Sequence, residues 1–218
     1  MNKRQKGYSR DKAILKMIEE WGVTDAHQVR LMLFFDIQSS QRKSQERLRK
    51  LALKGSVNRW RAEEGYLLYS LGDKNAMSAH LEGINWVRVW LEKTKRSWEK
   101  VHCFLYEQNY GVLRCDAFVA VKNTVTGQFR FYFIEMDRSP GNKFDKVTKY
   151  CQLFRQGGYE DRWWVELTDK FPTILTVTTS VPRKEKILQH IAEENTEGLN
   201  FDVRLLRDIR EEAMSWQN

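Results

Sequence analysis

The chain has 218 residues, 41% hydrophobic and 30% charged, which is enough for one large or two small cores and too apolar for disorder. Three cysteines, Cys103, Cys115 and Cys151, match neither a disulfide framework nor a zinc pattern and suit a reducing compartment. No apolar run is long enough to span a bilayer, and the basic start at Lys3, Arg4 and Lys6 leads into an amphipathic helix, so a cytoplasmic protein without membrane contact is expected.

The formal net charge is +8, and it is unevenly distributed. Residues 1–72 hold 15 Lys and Arg against 8 Asp and Glu, while the remainder holds 22 against 21. A basic segment of +7 joined to a nearly neutral one points to a polyanion-binding module, because neutralising phosphates releases counterions. A basic face kept for solubility gives the same count.

Apolar residues at helical spacing, Ile14, Leu15, Ile18 and Trp21, predict a helix over 11–21 with Asp11 as cap and Gly22 as stop. Thr24 can cap a second helix that runs to Phe34. A third, over 41–54, turns Leu48, Leu51 and Leu53 inward and Arg42, Lys43, Gln45, Arg49 and Lys50 outward. A hairpin follows, with strands either side of a turn at Ala62-Glu63-Glu64-Gly65. Three helices closed by a hairpin are the pattern of a winged helix-turn-helix. Its third helix would enter the major groove of double-stranded DNA, where Gln41, Ser44 and Gln45 touch base edges. Arg42, Lys43, Arg49 and Lys50 hold phosphates, and Arg59 and Arg61 reach the flanking backbone from the wing. Winged helices also dock proteins, so the pattern alone leaves both partners open. On a palindromic site a homodimer is implied.

Beyond Gly72 a long amphipathic helix is predicted over 76–95, and the periodicity then changes to alternation. Strands are expected over 101–106, 111–121 and 129–137, a helix over 143–155 ended by Gly157 and Gly158, and a β-branched strand from Thr173 that reads as buried on both faces. A helix over 183–194, a strand from Asp202 and a terminal helix complete the chain. Three successive strands suggest a meander and the later alternation suggests parallel pairing, so the sheet is mixed. Trp163, Trp164 and Phe154 serve as core or as an interface.

Asp116 lies near the start of the second of these strands, and Glu135 and Asp137 end the third. Pairing of the two strands brings Asp116 beside Glu135, and residues 135 and 137 share a face. Converging carboxylates repel unless a cation intervenes. Mg2+ or Mn2+ bound by Asp116 and Glu135 answers that need, activates a water and stabilises charge on a phosphate. Lys146 and Arg138 are the nearest cations to place that water. Acidic residues that merely end a strand give the same spacing.

This order of elements, with Asp116 on one strand and Glu135-Met136-Asp137 on the next, resembles the PD-(D/E)XK nuclease superfamily, which includes restriction endonucleases and junction resolvases. The winged helix, then Leu113-Arg114-Cys115-Asp116-Ala117, then Phe133-Ile134-Glu135-Met136-Asp137-Arg138-Ser139 and a helix with Lys146, Lys149 and Tyr150, is similar more narrowly to the replication-relaxation family of Gram-positive plasmids and conjugative elements. The resemblance implies an α/β chain, α+β overall, with a winged helix-turn-helix over 1–72 and a PD-(D/E)XK-like αβββαβ mixed-sheet domain over 73–218. It implies a catalytic set of Asp116, Glu135, Asp137 and Lys146. Two positions depart from the family pattern. Cys115 stands where a proline usually precedes the first aspartate, and Asp137 stands where the signature has lysine. A carboxylate supplies no positive charge, so catalysis would pass to Lys146 or Arg138.

Two functions stay open on these grounds. One is a DNA-binding protein of a plasmid or mobile element, acting in replication, relaxation or transfer, with a divergent Mg2+- or Mn2+-dependent endonuclease domain. The other is a non-catalytic regulator or accessory protein whose second domain dimerises or docks a partner. No Gly-rich phosphate loop supports a nucleotide sensor, and His27, His80, His102 and His190 fall in no catalytic motif.

Overall fold

A computed structural model describes residues 3–138, 141 and 143–215. The chain forms two compact units, Met1–Val89 and Trp90–Asn218. Both are mixed α/β structures.

The first unit begins with α1 (Lys3–Trp21), which extends eight residues further toward the N-terminus than its apolar spacing predicts. Asp11 therefore caps nothing. It sits within the helix and pairs with Arg47. Gly22 ends the helix with φ +73°, its N–H bonded to the Ile18 carbonyl. The positive φ favours glycine, and a Cβ there would lie 2.6 Å from Leu81 Cδ2 and displace that side chain. The next three residues form β1 (Val23–Asp25), a strand too short for sequence periodicity to reveal. Asp25, rather than Thr24, caps α2 (Ala26–Leu33): its carboxylate accepts from His27 N and Gln28 N, and the Gln28 side chain bonds back to the cap. Such a reciprocal cap stabilises a helix start by about 1 kcal/mol.

Helix α3 (Ser40–Leu53) turns Ser44, Leu48 and Leu51 inward. Leu53, expected inside, is 70% exposed because it lies two residues past Leu51 on the helix wheel. The hairpin of β2 (Asn58–Arg61) and β3 (Leu67–Ser70) pairs Trp60 with Leu68, and β1 joins its other side in the order β1-β3-β2. The unit boundary falls inside α4 (Ser78–Thr94). Before it, Asn85 donates to the Trp21 and Val23 carbonyls, Trp86 Nε1 donates to Asp25, and Gln28 donates to the Glu82 carbonyl. The Asn85 bonds satisfy carbonyls at the end of α1 and in β1, and the other two join α4 to the start of α2.

The second unit is built on a five-stranded sheet in the order β4-β5-β6-β7-β8. Strands β4 (Glu99–Asn109), β5 (Arg114–Asn123) and β6 (Phe129–Asp137) form an antiparallel meander, and β7 (Thr173–Thr178) and β8 (Phe201–Leu205) add in parallel. The sheet is mixed, as the sequence implies. Crossovers run through α5 (Lys146–Gln156) and α6 (Val181–Glu194), and α7 (Leu206–Ser215) closes the unit. All but the first residue of β7 is buried, which explains its unbroken Ile-Leu-Thr-Val run.

Alternation along β6 puts Phe129, Phe131, Phe133, Glu135 and Asp137 on one face. The three phenylalanines pack with Phe118, Tyr150 and Trp164 into an aromatic core. Trp164 is 2% exposed and belongs to that core, whereas Trp163 and Phe154 reach the surface. Among the described residues no helix is long and apolar enough to cross a membrane.

Candidate functional site

The register Ala117↔Ile134 carries Asp116 to a place opposite Glu135, with Asp116 half-buried and Glu135 only 2% exposed. Asp116 Oδ2 accepts the backbone N–H of Met136 at 2.7 Å, so the first carboxylate also fixes the strand that delivers the second. Helix α5 covers this end of the sheet, and two of its side chains, one turn apart, converge on Glu135. Tyr150 OH donates to Oε1 at 2.6 Å, and Lys146 Nζ lies 2.7 Å from Oε2 while donating to the Arg114 carbonyl. The i, i+4 spacing of residues 146 and 150 puts both on one helix face.

Burial disfavours the charged form of Glu135 and pushes its pKa up to about 7, with Lys146 pulling it down and Asp116 adding to the rise. Burial opposes the charge on Lys146 too, but the Glu135 carboxylate outweighs it and holds the ammonium above its ordinary value. Burial and then Glu135 raise Tyr150 well above the usual phenol range, so it stays a donor. The Cys115 thiol is likewise pushed up by burial and by Glu135, which makes it an inert core group.

Asp137 stands apart from this cluster. Its carboxylate takes a two-pronged contact from Arg183, with Nη2 at 2.6 Å from Oδ2 and Nε at 3.3 Å from Oδ1. Both side chains are under 10% exposed. Arg183 comes from the first turn of α6, whose start is capped by Ser180. The repulsion expected among three carboxylates is thus relieved by side chains, Lys146 for Glu135 and Arg183 for Asp137. Next to them in β7, Thr176 pairs with Glu135 and Thr178 with Asp137 in register, and both hydroxyls are buried with no hydrogen-bond partner among the described residues.

Among the described residues no group of three or more His, Cys, Asp or Glu is placed to hold a metal ion. Mg2+ needs less, since it keeps several waters and takes one or two carboxylates together with substrate phosphate. Asp116 and Glu135 supply two such carboxylates, each already engaged: Glu135 by Tyr150 and Lys146, Asp116 by Met136 N. Asp137, committed to Arg183, supplies none.

On the first unit, Arg42, Gln45, Arg49 and Lys50 project from α3 into solvent, and Gln41 and Lys43 are half-exposed. Ser44 corrects the expectation of a base contact: it is fully buried, and its hydroxyl donates to the Gln41 carbonyl within the helix. Lys50 is held by Glu46 one turn back, and Arg59 and Arg61 are exposed on β2. Arg47, on the same helix, points inward to Asp11 and the Gly7 carbonyl and joins α3 to α1.

The residues that the sequence left without a role are Tyr150 and Arg183. Tyr150 was recoverable from its spacing to Lys146. Arg183 carries no local signal, because its partner is 46 positions away. No protein-family model, curated protein or solved structure matches this chain.

Proposed function

We propose that the chain is a DNA-binding protein whose second unit carries a divergent, metal-dependent nuclease site of the PD-(D/E)XK kind, joined to a winged-helix unit. The observation that carries this reading is the Lys146–Glu135 contact beside Asp116. The signature needs a lysine next to two carboxylates, and here the lysine comes from α5 instead of from position 137. The helix, three-strand meander, helix, strand order of the second unit and the exposed basic face of α3 support the same conclusion.

In this mechanism Asp116 and Glu135 would hold Mg2+ or Mn2+. The ion supplies Lewis-acid activation of water and charge neutralisation at the phosphate. Tyr150 fixes the rotamer of Glu135 through Oε1, and Asp116 keeps its strand in register through Met136 N. Lys146, 24% exposed at its side chain, holds a proton at Nζ and presents positive charge to the attacked phosphate. The Asp137–Arg183 pair anchors α6 beside them. Action in plasmid or mobile-element replication, relaxation or transfer follows the resemblance of the motifs. The second reading, a non-catalytic regulator, is favoured by one feature: both oxygens of Glu135 are already occupied by side chains.

A supercoiled-plasmid assay with Mg2+ and Mn2+ separates the two. Cleavage by the parent protein, abolished in Asp116→Ala and Glu135→Ala while duplex binding persists, is the expected result. Equal cleavage by parent and variants, or none by the parent with either metal, overturns the nuclease reading.

A further inference from the structure

A cleft of about 310 Å3 lies between α3 and the β2–β3 hairpin of the first unit. Three guanidinium groups line it: Arg49 from the helix, and Arg59 and Arg61 from the hairpin, with Gln45, His27 and Tyr66 completing the wall. Two other basic side chains of α3 have carboxylate partners, Asp11 for Arg47 and Glu46 for Lys50. Among the described residues Arg49 and Arg59 have none, and Arg61 donates only to the Gly65 carbonyl. Like charges held around one concavity, none of them neutralised by a carboxylate, mark a place for an anion.

The one acid on the cleft wall is Asp25. It is 3% exposed, and its oxygens accept from His27 N, Gln28 N and Trp86 Nε1. Its charge still counts, so three arginines and one aspartate leave the cleft at +2. A phosphodiester within a nucleic-acid strand carries a single negative charge, whereas a terminal phosphomonoester carries close to two near neutral pH. The volume is at the lower end of the small-ligand range, enough for a phosphate with part of its nucleoside. The arginine fork suits phosphate oxygens, and the Tyr66 and His27 rings give the attached nucleoside an apolar wall.

We propose that this cleft is a binding site for a terminal phosphomonoester on a nucleoside, supplied either by a 5′-phosphorylated DNA end or by a free nucleoside monophosphate. The proposal deepens the DNA-binding reading of the first unit and rests on it only for the polymeric source.

The test compares full-length protein on two duplexes of one sequence, 5′-phosphorylated and 5′-hydroxyl, by fluorescence anisotropy, and titrates adenosine monophosphate and inorganic phosphate separately. Tighter binding of the phosphorylated end by about tenfold or more, as charge-assisted hydrogen bonds provide, supports the DNA source. Saturable binding of the monophosphate without discrimination between duplexes supports the free-nucleotide source. In either case the exposed-residue variants Arg49→Gln and Arg59→Gln remove the effect, while Arg42→Gln, outside the cleft, weakens duplex binding but leaves the monophosphate affinity and the discrimination between the two duplex ends as in the parent. Equal affinity for both duplexes together with no monophosphate or phosphate binding overturns the proposal, even where duplex binding is strong. Monophosphate binding without any duplex binding keeps the cleft and removes the DNA-binding reading instead.

Discussion

Replacing Glu135 with glutamine removes a buried titrating group and keeps its shape. In the native protein the Glu135 carboxyl is held at about 7 against an ordinary 4.5, chiefly by burial. Between those values the native state binds more protons than the unfolded chain. The stability this group contributes is therefore complete below pH 4.5 and is lost as pH rises through 7. At 1.36 kcal/mol for each pH step, the interval amounts to roughly 3 kcal/mol. The glutamine variant lacks this dependence, so the stability of Glu135→Gln relative to the parent should rise by roughly 3 kcal/mol from pH 4.5 to pH 8. Native-state hydrogen exchange at β5 and β6 amides, in chelator and at several pH values, reads this sheet separately from the first unit. Titrating groups away from Glu135 cancel in the difference between the two proteins, and Lys146 and Tyr150, which Glu135 raises, titrate above this range in the parent. A difference that stays flat to within about 0.5 kcal/mol over the range would refute the argument, and would mean that Lys146 keeps Glu135 ionised despite burial.

The Asp137–Arg183 pair gives a second test: Arg183→Met takes the guanidinium from a buried carboxylate and should cost about 3–5 kcal/mol in urea unfolding, most of it restored by adding Asp137→Leu. A single-variant loss below about 1 kcal/mol would show that the pair is open to water. On the first unit, Ser44→Ala should leave duplex affinity unchanged, because the hydroxyl is buried. Arg42→Gln should weaken binding and reduce the slope of log affinity against log salt by about 0.9 for each phosphate that the arginine neutralises. Anisotropy titrations at several salt concentrations distinguish these outcomes, and an unchanged slope for Arg42→Gln would exclude a phosphate partner there.

Elements with strong periodicity were legible in the chain. The alternating runs of β4 to β6, the β-branched β7 and the Gly22 stop all follow from local chemistry that is repeated over several residues or fixed by one special residue. Local signals did not reach β1, three residues that become a strand only by pairing with β3. Nor did they place Asp11, which looks like a cap but forms a tertiary pair. Within the candidate site, the juxtaposition of Asp116 and Glu135 followed from strand order and face. The fate of Asp137 did not, since Arg183 reaches it from a helix beyond the next strand. Ser44 and Leu53 show the limit of a helix reading without a core: one polar residue is inside and one leucine is outside, and only the neighbouring helices decide which.

The two ion pairs at this end of the sheet also differ in how far apart their members lie along the chain. Glu135 meets Lys146 eleven positions further on (135 to 146), whereas Asp137 meets Arg183 across 46. Closing a longer loop carries a greater entropic cost, and parallel strands form late because their contacts are non-local. The meander and α5 can therefore assemble the Asp116–Glu135–Lys146 cluster first, while Asp137 meets its guanidinium only when β7 and α6 dock. Formation of that second pair is then a marker for docking of β7 and α6, and slow protection of β7 amides after that of β5 and β6 is its kinetic signature.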